Sequence, residues 1–175
     1  MKLAIVGKSC SGKSTLCKLL QEQGLHIATT MTTRPPRDYE VDGKDYFFVT
    51  ESKFVDMIDR GFLVEYKVFN EWYYGMGAGE FAKSDAFIVT PSAVGEYREA
   101  CKEMNEDLVV LYIDADAKLR MERTKARDEV DSINRRFVAD ELDFNDFNDW
   151  DIRVSIKDNQ STSLVVEMLK KLFKK

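Results

Sequence analysis

The sequence predicts an α/β fold in which a parallel β-sheet is flanked by helices. Short apolar runs with β-branched residues alternate along the chain with longer amphipathic stretches of helical period. The 175 residues, of which 44% are hydrophobic, are enough to build one real core. We find no internal repeat, low-complexity segment or Gly/Ser linker, and we therefore expect a single domain over residues 1–175.

The individual elements follow from the same patterns. Apolar runs predict core strands at residues 3–6, 25–29, 86–90, 108–114 and 152–156. Amphipathic stretches predict helices at residues 13–23, 92–105, 117–125 and 161–173. Residues 46–74 differ in pattern, since FFV and FLVEYKVF predict antiparallel strands around a helix from Ser52 to Arg60, capped by Thr50. We expect this segment to form a small mixed α+β lobe inserted into the domain.

Composition and charge exclude several classes of function. The formal net charge of −5 argues against a surface that tracks a phosphate polymer, so we expect no nucleic-acid partner. The three cysteines are odd in number and form no C-x-x-C pair, which supports neither a disulfide framework nor a zinc site. No apolar run approaches the ~20 residues of a membrane span. We therefore expect a cytoplasmic protein, a monomer or a homodimer, that does not bind membranes.

The strongest local motif is GKSCSGKST, which matches the P-loop pattern G-x-x-x-x-G-K-[ST] with a predicted strand before it and a predicted helix after it. Its glycines let backbone N–H groups and the helix N-terminus face an anion, while a glycine-rich turn without a ligand is the alternative. Lys13 adds a full charge near the β- and γ-phosphates of ATP, and the Ser14 hydroxyl suits Mg²⁺. The residues expected to bind the ATP phosphates are Gly7, Ser9, Ser11, Gly12, Lys13, Ser14 and Thr15.

Beyond this motif, the chain resembles the guanylate kinase family, whose members transfer the γ-phosphoryl group of ATP to GMP. Four segments carry the resemblance in order along nearly the whole chain: GKSCSGKST, TTRPPRDYEVDGKDYFFV, FLVEYKVFNEWYYG and RTKARDEVDSINRRF. The resemblance implies a P-loop NTPase fold with a core (residues 1–33, 83–122 and 138–175), a lobe that binds the nucleoside monophosphate (residues 34–82) and a short lid (residues 123–137). It also implies that ATP phosphorylates GMP or dGMP to the diphosphate, with Mg²⁺ as cofactor.

In the family's pattern, the segment TTRPPRDYEVDGKDY grips the phosphate of the acceptor nucleotide. The two prolines fix φ, so Arg34 and Arg37 form a rigid pair, and planar guanidinium groups suit a dianionic phosphate. A solvated charged loop would explain the composition but not the spacing of the arginines, tyrosines and glycine. The resemblance implies an acceptor site made of Thr30, Arg34, Arg37, Glu40, Tyr46, Glu65 and Tyr74.

Recognition of the base is where the sequence first departs from the family. The family's pattern gives Glu65 and Thr30 to the base, and a carboxylate accepts both the N1–H and the exocyclic amine of guanine, whereas the N1 acceptor of adenine would face negative charge. The family usually has serine or threonine at the position of Met76, and a thioether cannot donate the corresponding hydrogen bond. Selectivity is therefore expected to be weaker than in typical members, or shifted toward deoxy or altered guanine nucleotides.

A second departure concerns the metal. Thr90 and Ser92 fall where the family has a pair of aspartates after a core strand. Asp114 ends the apolar run LVVLYID, so its carboxylate could help to hold Mg²⁺ through water. The same residue could equally cap the helix that starts near Ala117.

The segment RTKARDEVDSINRRF resembles the family's lid. Arginines on a closing lid neutralise the charge that phosphoryl transfer spreads over the equatorial oxygens. A solvated helix with i,i+4 charge pairs is the better interpretation for Glu122, Lys125, Asp128 and Glu129. The resemblance gives catalytic roles to Lys13, Arg127 and Arg136, with Arg123 at the entry to the lid and Arg135 as a near neighbour.

Two other functions also fit the sequence. A kinase of the same fold that acts on another (deoxy)nucleoside monophosphate or on a ribosyl phosphate is compatible with the missing hydroxyl at Met76. A non-catalytic guanylate-kinase-like module that binds a phosphopeptide is compatible with the missing aspartates. Such a module, however, does not need Gly12, Lys13 and Ser14.

Overall fold

Two β-sheets of four strands each organise the computed structural model, which describes residues 1–125, 130–158 and 161–173. The strands in chain order are β1 (Lys2–Val6), β2 (Met31–Thr32), β3 (Phe47–Phe48), β4 (Leu63–Phe69), β5 (Trp72–Gly77), β6 (Ala86–Ile88), β7 (Leu108–Ala115) and β8 (Ile152–Ile156). The helices are α1 (Lys13–Glu22), α2 (Glu51–Asp59), α3 (Ala78–Lys83), α4 (Val94–Glu103), α5 (Ala117–Lys125), α6 (Val130–Phe144) and α7 (Ser161–Phe173), with a 3-10 turn at Pro91–Ala93. Within the described ranges, no helix has both the length and the apolar character needed to cross a membrane.

The larger sheet is parallel throughout and has the strand order β6-β1-β7-β8. Every residue of the central strand β1 is buried, and Leu3, Ala4 and Ile5 each pair with both β6 and β7. A sheet that is covered on both faces needs apolar residues at successive positions, which explains the uninterrupted apolar runs in the sequence. The predicted α/β fold, with a parallel sheet flanked by helices, is confirmed.

Each face of the larger sheet carries its own apolar core. On one face the core includes Leu16, Leu20 and Leu169, from α1 and α7. On the other face it includes Phe81 and Tyr97, from α3 and α4. Burial of each such side chain contributes about 1.5–3 kcal/mol to folding, so the two cores together fix the helices against the sheet.

The smaller sheet has the strand order β3-β2-β5-β4. Strand β5 runs antiparallel to both of its neighbours, while β2 and β3 are parallel. Helix α2 packs its buried Phe54 against the rings of Tyr66 and Tyr73, at centroid distances of 6.5 and 5.2 Å. The Thr50 hydroxyl accepts a hydrogen bond from the backbone N–H of Lys53, which confirms the predicted cap of this helix.

Two strand predictions need correction. The strand predicted at residues 25–29 is reduced to a single bridge between Ile27 and Ala86. The chain leaves the larger sheet at this point to enter β2 at Met31, so too few residues remain for a ladder. The predicted strands FFV and FLVEYKVF are also not partners, because β2 and β5 lie between β3 and β4.

The helix predicted at residues 92–105 is shorter than expected. A 3-10 turn that starts at Pro91 precedes it, and the α-helix runs from Val94 to Glu103. Asn105 has a φ of +53°, which is left-handed backbone that an α-helix cannot continue through. Both ends are therefore set by local backbone constraints.

An aromatic cluster packs on β7. Tyr112 contacts the rings of Phe144, Phe147 and Trp150 at centroid distances of 5.5, 5.8 and 5.4 Å. The sequence spacing of Phe137, Phe144, Phe147 and Trp150 is close to that of a helical stripe and predicts packing rather than a ligand site, and Phe137 packs against the Arg120 guanidinium. That prediction is confirmed.

The central position of β7 leads to a prediction for Leu111, which is fully buried among residues of α1, α7 and the neighbouring strands. Leu111→Ala is expected to lower the free energy of unfolding by about 2–5 kcal/mol, because it removes apolar contacts and leaves a cavity. The matched control is Leu164→Ala, since Leu164 is 73% exposed and the change should cost within about 0.5 kcal/mol. Urea denaturation measures the free energy of unfolding of both variants. Similar losses in the two variants would contradict this account of the core.

Candidate functional site

The motif GKSCSGKST forms the connection between β1 and α1. A side chain at Gly7 would place its Cβ 2.7 Å from both the carbonyl oxygen of Ile113 and the Ser11 hydroxyl, so the loop can approach β7 only with glycine there. Gly12 has a φ of +106° and forms the N-cap of α1. The loop therefore curls tightly around the N-terminus of α1, where unpaired N–H groups favour an anion.

Polar groups of the loop are arranged for a polar ligand. The Lys13 ammonium donates hydrogen bonds to the carbonyl oxygens of Gly7 at 2.6 Å and Lys8 at 3.0 Å, so it lies over the loop. Ser11 is buried, and within the described part of the chain its hydroxyl has no hydrogen-bond partner. Ser14 is exposed in the first turn of α1. An unsatisfied buried hydroxyl costs about 1–3 kcal/mol, which a loop built to receive a polar group would recover on binding.

Two acidic side chains of α6 also contact this loop. The carboxylate of Asp140 accepts hydrogen bonds from the backbone N–H of Ser9 at 2.7 Å and from its hydroxyl at 3.2 Å. The neighbouring carboxylate of Glu141 pairs with the ammonium of Lys8 at 2.7 Å. Sequence reasoning missed both contacts, because more than 130 residues separate the partners.

A buried arginine completes this arrangement. The Arg120 side chain is only 5% exposed and lies 3.6 Å from the carboxylates of both Asp140 and Glu141, with its guanidinium over the ring of Phe137 at 4.8 Å. We call Arg120, Asp140 and Glu141 the P-loop clamp. The sequence analysis missed the clamp. The signal that could have indicated it is the pair Arg120 and Arg123, which an α-helix places on the same side. The guanidinium of Arg123 donates to the carbonyl oxygen of Cys10 at 3.1 Å, so α5 contacts the loop as well.

The acceptor-site arginines converge on Glu40. The Arg34 guanidinium donates to both carboxylate oxygens of Glu40 at 2.8 Å, and the backbone N–H of Arg37 donates to the same carboxylate at 2.9 Å. The Arg37 guanidinium lies 3.8 Å from it. Burial would raise the pKa of Glu40, but the Arg37 N–H and the Arg34 guanidinium outweigh burial and hold that pKa below its ordinary value.

Two tyrosines and a threonine complete this cluster. The ring of Tyr46 lies 5.5 Å from the Arg34 guanidinium and 6.2 Å from the ring of Tyr74. The Thr32 hydroxyl accepts a hydrogen bond from the backbone N–H of Arg34 at 3.1 Å and donates one to the carbonyl oxygen of Tyr73 at 3.0 Å. Thr32 thus anchors the arginine segment to β5, a role that the sequence analysis missed.

The residues expected to bind the base lie on β4 and near β2. Glu65 is opposite Met76 in the β4–β5 ladder, and Tyr74 is opposite Thr32, so these side chains share one face of the smaller sheet. The Glu65 carboxylate accepts a hydrogen bond from the Tyr97 hydroxyl at 3.1 Å. Burial raises the pKa of Glu65, and the bond from Tyr97 partly offsets that rise.

Thr30 and Met76 lie at different depths. Thr30 directly precedes β2, and its carbonyl oxygen accepts a hydrogen bond from the backbone N–H of Phe47. Met76 is fully buried in the core between the smaller sheet and α4. Its side chain therefore fills apolar space beside Glu65.

The residues discussed for the metal contact other protein side chains. Thr90 and Ser92 place their hydroxyls 3.3 Å apart, while the Asp114 carboxylate pairs with Arg153 at 2.6 Å. The prediction that Asp114 caps α5 is wrong, because the Asp116 carboxylate accepts the N–H of Lys118 and so caps this helix. Across the described ranges, no cluster of three or more acidic, cysteine or histidine side chains is placed to hold a metal.

The two predicted lid arginines belong to the region around α5 and α6. Arg127 lies outside the described residues. Arg136 belongs to α6, and its side chain also lies outside what the structure describes. Their catalytic roles stay predictions.

A parallel sheet whose first strand leads through a GKS loop into the first helix defines a P-loop nucleotide-binding protein. Within that class, a family model described as guanylate kinase matches residues 1–175. The chain belongs to the guanylate kinase family.

Individual relatives are similar over part of the chain. A guanylate kinase of Clostridioides difficile is 43% identical over 75 residues, which are 42% of this chain and 37% of that protein. Guanylate kinase 2, chloroplastic/mitochondrial, of Oryza sativa is 45% identical over 78 residues, 43% of this chain and 27% of that protein. These matches therefore span less than two fifths of either relative. The crystal structure of guanylate kinase from Anaplasma phagocytophilum has a TM-score of 0.72 at 18% identity, covers 100% of this chain and 87% of its own, and shows the same fold.

The lowered pKa of Glu40 predicts a pH-dependent stability. A carboxyl group whose pKa is lower in the folded state stabilises the fold above its unfolded pKa, and that stabilisation is lost as the pH falls through the folded pKa. At pH 7, Glu40→Gln should lower the free energy of unfolding by about 1–3 kcal/mol, and the difference from wild type should shrink as the pH falls toward 3. Denaturation from pH 7 to pH 3 measures this difference, and Glu22→Gln, at an exposed position, is the control. A difference that stays constant with pH would show that Glu40 does not act through its charge.

The P-loop clamp predicts a large effect at Asp140. Asp140→Ala leaves the buried Arg120 without one of its two carboxylates and removes the acceptor for the Ser9 N–H. We expect a loss of about 2–4 kcal/mol in the free energy of unfolding, because a buried charge without its partner is costly. Asp59→Ala, at an exposed position on α2, is the control and should cost within about 0.5 kcal/mol. Equal effects of the two substitutions would mean that the clamp does not stabilise the fold.

Proposed function

We propose that the protein is an ATP-dependent nucleoside monophosphate kinase that transfers the γ-phosphoryl group of ATP to GMP or dGMP, giving ADP and the nucleoside diphosphate. One observation carries this proposal. The chain combines a P-loop at the end of β1 with a second cluster, on the smaller sheet, in which two arginines and two tyrosines lie together. A phosphate donor and a phosphate acceptor each need such a site.

The donor ATP would bind to the loop at Gly7–Thr15. The backbone N–H groups at the start of α1 and the Lys13 ammonium would bind the phosphates, with Lys13 moving from the loop carbonyls that it now contacts. Mg²⁺ fits this site through the Ser14 hydroxyl, and its remaining ligands would be phosphate and water oxygens, as Mg²⁺ commonly has in kinases. Bound there, the ion would supply charge that neutralises the transferring phosphoryl group.

The acceptor phosphate would bind to Arg34 and Arg37, with hydrogen bonds from the hydroxyls of Tyr46 and Tyr74. Glu40 positions the arginine pair, and because it carries one charge against two, the cluster keeps a net positive charge for a phosphate dianion. Planar guanidinium groups held in this way lose little conformational freedom when phosphate binds.

The base would be recognised by Glu65, together with Thr30. An ionised carboxylate accepts two parallel N–H donors, which guanine offers and adenine does not. Glu65 lies on the same sheet face as Tyr74, so phosphate and base contacts come from one surface.

The chemical step would need no general base from the protein. A phosphate oxygen of the acceptor is already a competent nucleophile, so positioning and charge neutralisation suffice. In this proposal, Arg127 and Arg136 of the lid (residues 123–137) would neutralise the charge of the transition state. No contact among the described residues favours a ribosyl phosphate or a phosphopeptide as the ligand instead.

An ADP-release assay over GMP, dGMP, AMP and dTMP, with and without Mg²⁺, tests the proposal. We expect kcat/KM for GMP or dGMP to exceed that for AMP by at least about 100-fold, because a carboxylate rejects the N1 acceptor of adenine. Arg34→Lys should raise KM for the monophosphate by about 10- to 100-fold and leave KM for ATP within about twofold, since a lysine cannot form the paired contact. The control is Arg60→Lys at the C-cap of α2, since the Arg60 side chain is 59% exposed. Turnover of AMP but not of guanine nucleotides would refute the substrate assignment.

A further inference from the structure

Tyr97 of α4 joins the two sheets through a single hydrogen bond. Its ring is fully buried and lies 5.3 Å from the ring of Phe81 and 4.5 Å from that of Phe87, in the core on one face of the larger sheet. Its hydroxyl donates at 3.1 Å to Glu65, which lies on β4 of the smaller sheet. A buried tyrosine hydroxyl needs a partner, and here the partner is the carboxylate beside the proposed base site.

The ring of Tyr97 is held tightly enough to orient its partner. Two aromatic neighbours fix the ring plane, and a tyrosine hydroxyl cannot move far from that plane. Burial raises the pKa of Tyr97, so the hydroxyl keeps its proton and acts as the donor to Glu65. One oxygen of the carboxylate is thereby fixed in position.

Several charges act on Glu65 besides this bond. Glu96 on α4 is a like charge that disfavours the ionised form, and Lys67 on β4 is an opposite charge that favours it. Burial also disfavours ionisation. The Tyr97 hydroxyl and Lys67 are therefore the two groups that favour ionised Glu65, the state in which this carboxylate can accept both donors of guanine.

We propose that Tyr97 is a positioning residue for base selectivity, which orients Glu65 toward the guanine edge of the acceptor nucleotide. The inference rests on the proposed function, because Glu65 binds the base only there. A carboxylate has about four acceptor sites, so the Tyr97 bond to one oxygen leaves room for the two guanine donors. Met76, opposite Glu65 across the ladder, offers no hydrogen-bond donor, so the orientation of Glu65 becomes the main determinant of the base contact.

Tyr97→Phe tests the inference because it removes the hydroxyl and keeps the ring. We expect KM for GMP to rise about tenfold while kcat and KM for ATP stay within about twofold. The acidic limb of the pH profile of kcat/KM for GMP should also move to higher pH, since Glu65 loses a group that favours its ionised form. In a Glu65→Ala background, adding Tyr97→Phe should raise KM by less than about twofold, because the hydroxyl no longer has a carboxylate to orient.

Tyr66→Phe is the matched control. Tyr66 is the next residue on β4, its ring faces Phe54 on the opposite side of the sheet, and its loss of a hydroxyl should leave KM for GMP unchanged. An unchanged KM and pH profile in Tyr97→Phe would overturn the inference while the kinase proposal stands. An equal rise in KM for GMP and for ATP would show that Tyr97 only packs the core, and this result would also overturn the inference. Wild-type protein that neither binds nor phosphorylates a guanine nucleotide would instead refute the proposed function, and this inference with it.

Discussion

Pairing between carboxylates and cations organises both regions that we propose to bind phosphate. A site for two phosphate groups must collect positive charge, and close cations repel one another unless anions hold them. Glu40 holds the arginine pair on the smaller sheet, while Asp140 and Glu141 hold Arg120 and Lys8 beside the loop. Under the proposed function, these cations and the backbone N–H groups of the loop would bind the two phosphates. The chain can therefore be acidic overall and still present local sites for anions.

The two sheets are connected in a way that keeps the two regions distinct. The chain passes from the bridge at Ile27 to β2 at Met31, so the arginine segment begins immediately after the chain leaves the larger sheet. The chain returns to the larger sheet from β5 through α3 to β6, and the bond from Tyr97 to Glu65 adds a connection made by side chains. Relative movement of the two sheets would have to break this bond or move Tyr97 and Glu65 together. If the protein is the kinase that we propose, closure around two nucleotides to exclude water would act on the base contact as well.

The parts of the fold that the sequence predicted are those with local causes. The loop at Gly7–Thr15, the cap at Thr50 and the apolar strands of the larger sheet each depend on neighbours within a few residues. The contact between Ser9 and Asp140 joins residues 131 positions apart, and an aspartate on an amphipathic helix carries no mark of such a partner. The strand predicted at residues 25–29 failed for a similar reason, because the route of the chain into the second sheet overrides local β-propensity. The sequence analysis also missed the contact between Tyr97 and Glu65, because the two residues are 32 positions apart and lie on different elements.

The P-loop clamp is better explained by geometry than by stability. Buried ion pairs often contribute little net free energy, because desolvation offsets their attraction, and among the described residues the Nε and Nη1 atoms of Arg120 make no hydrogen bond. What the clamp does fix is the position of α6 against the loop, through Asp140. Arg136 precedes Asp140 by four residues on the same helix, which is about one turn, or ~6 Å of rise. The backbone of Arg136 is therefore about one helical turn from Asp140, which contacts the loop proposed to bind the ATP phosphates. Little movement of the α6 backbone would be needed to bring this proposed lid arginine to the loop.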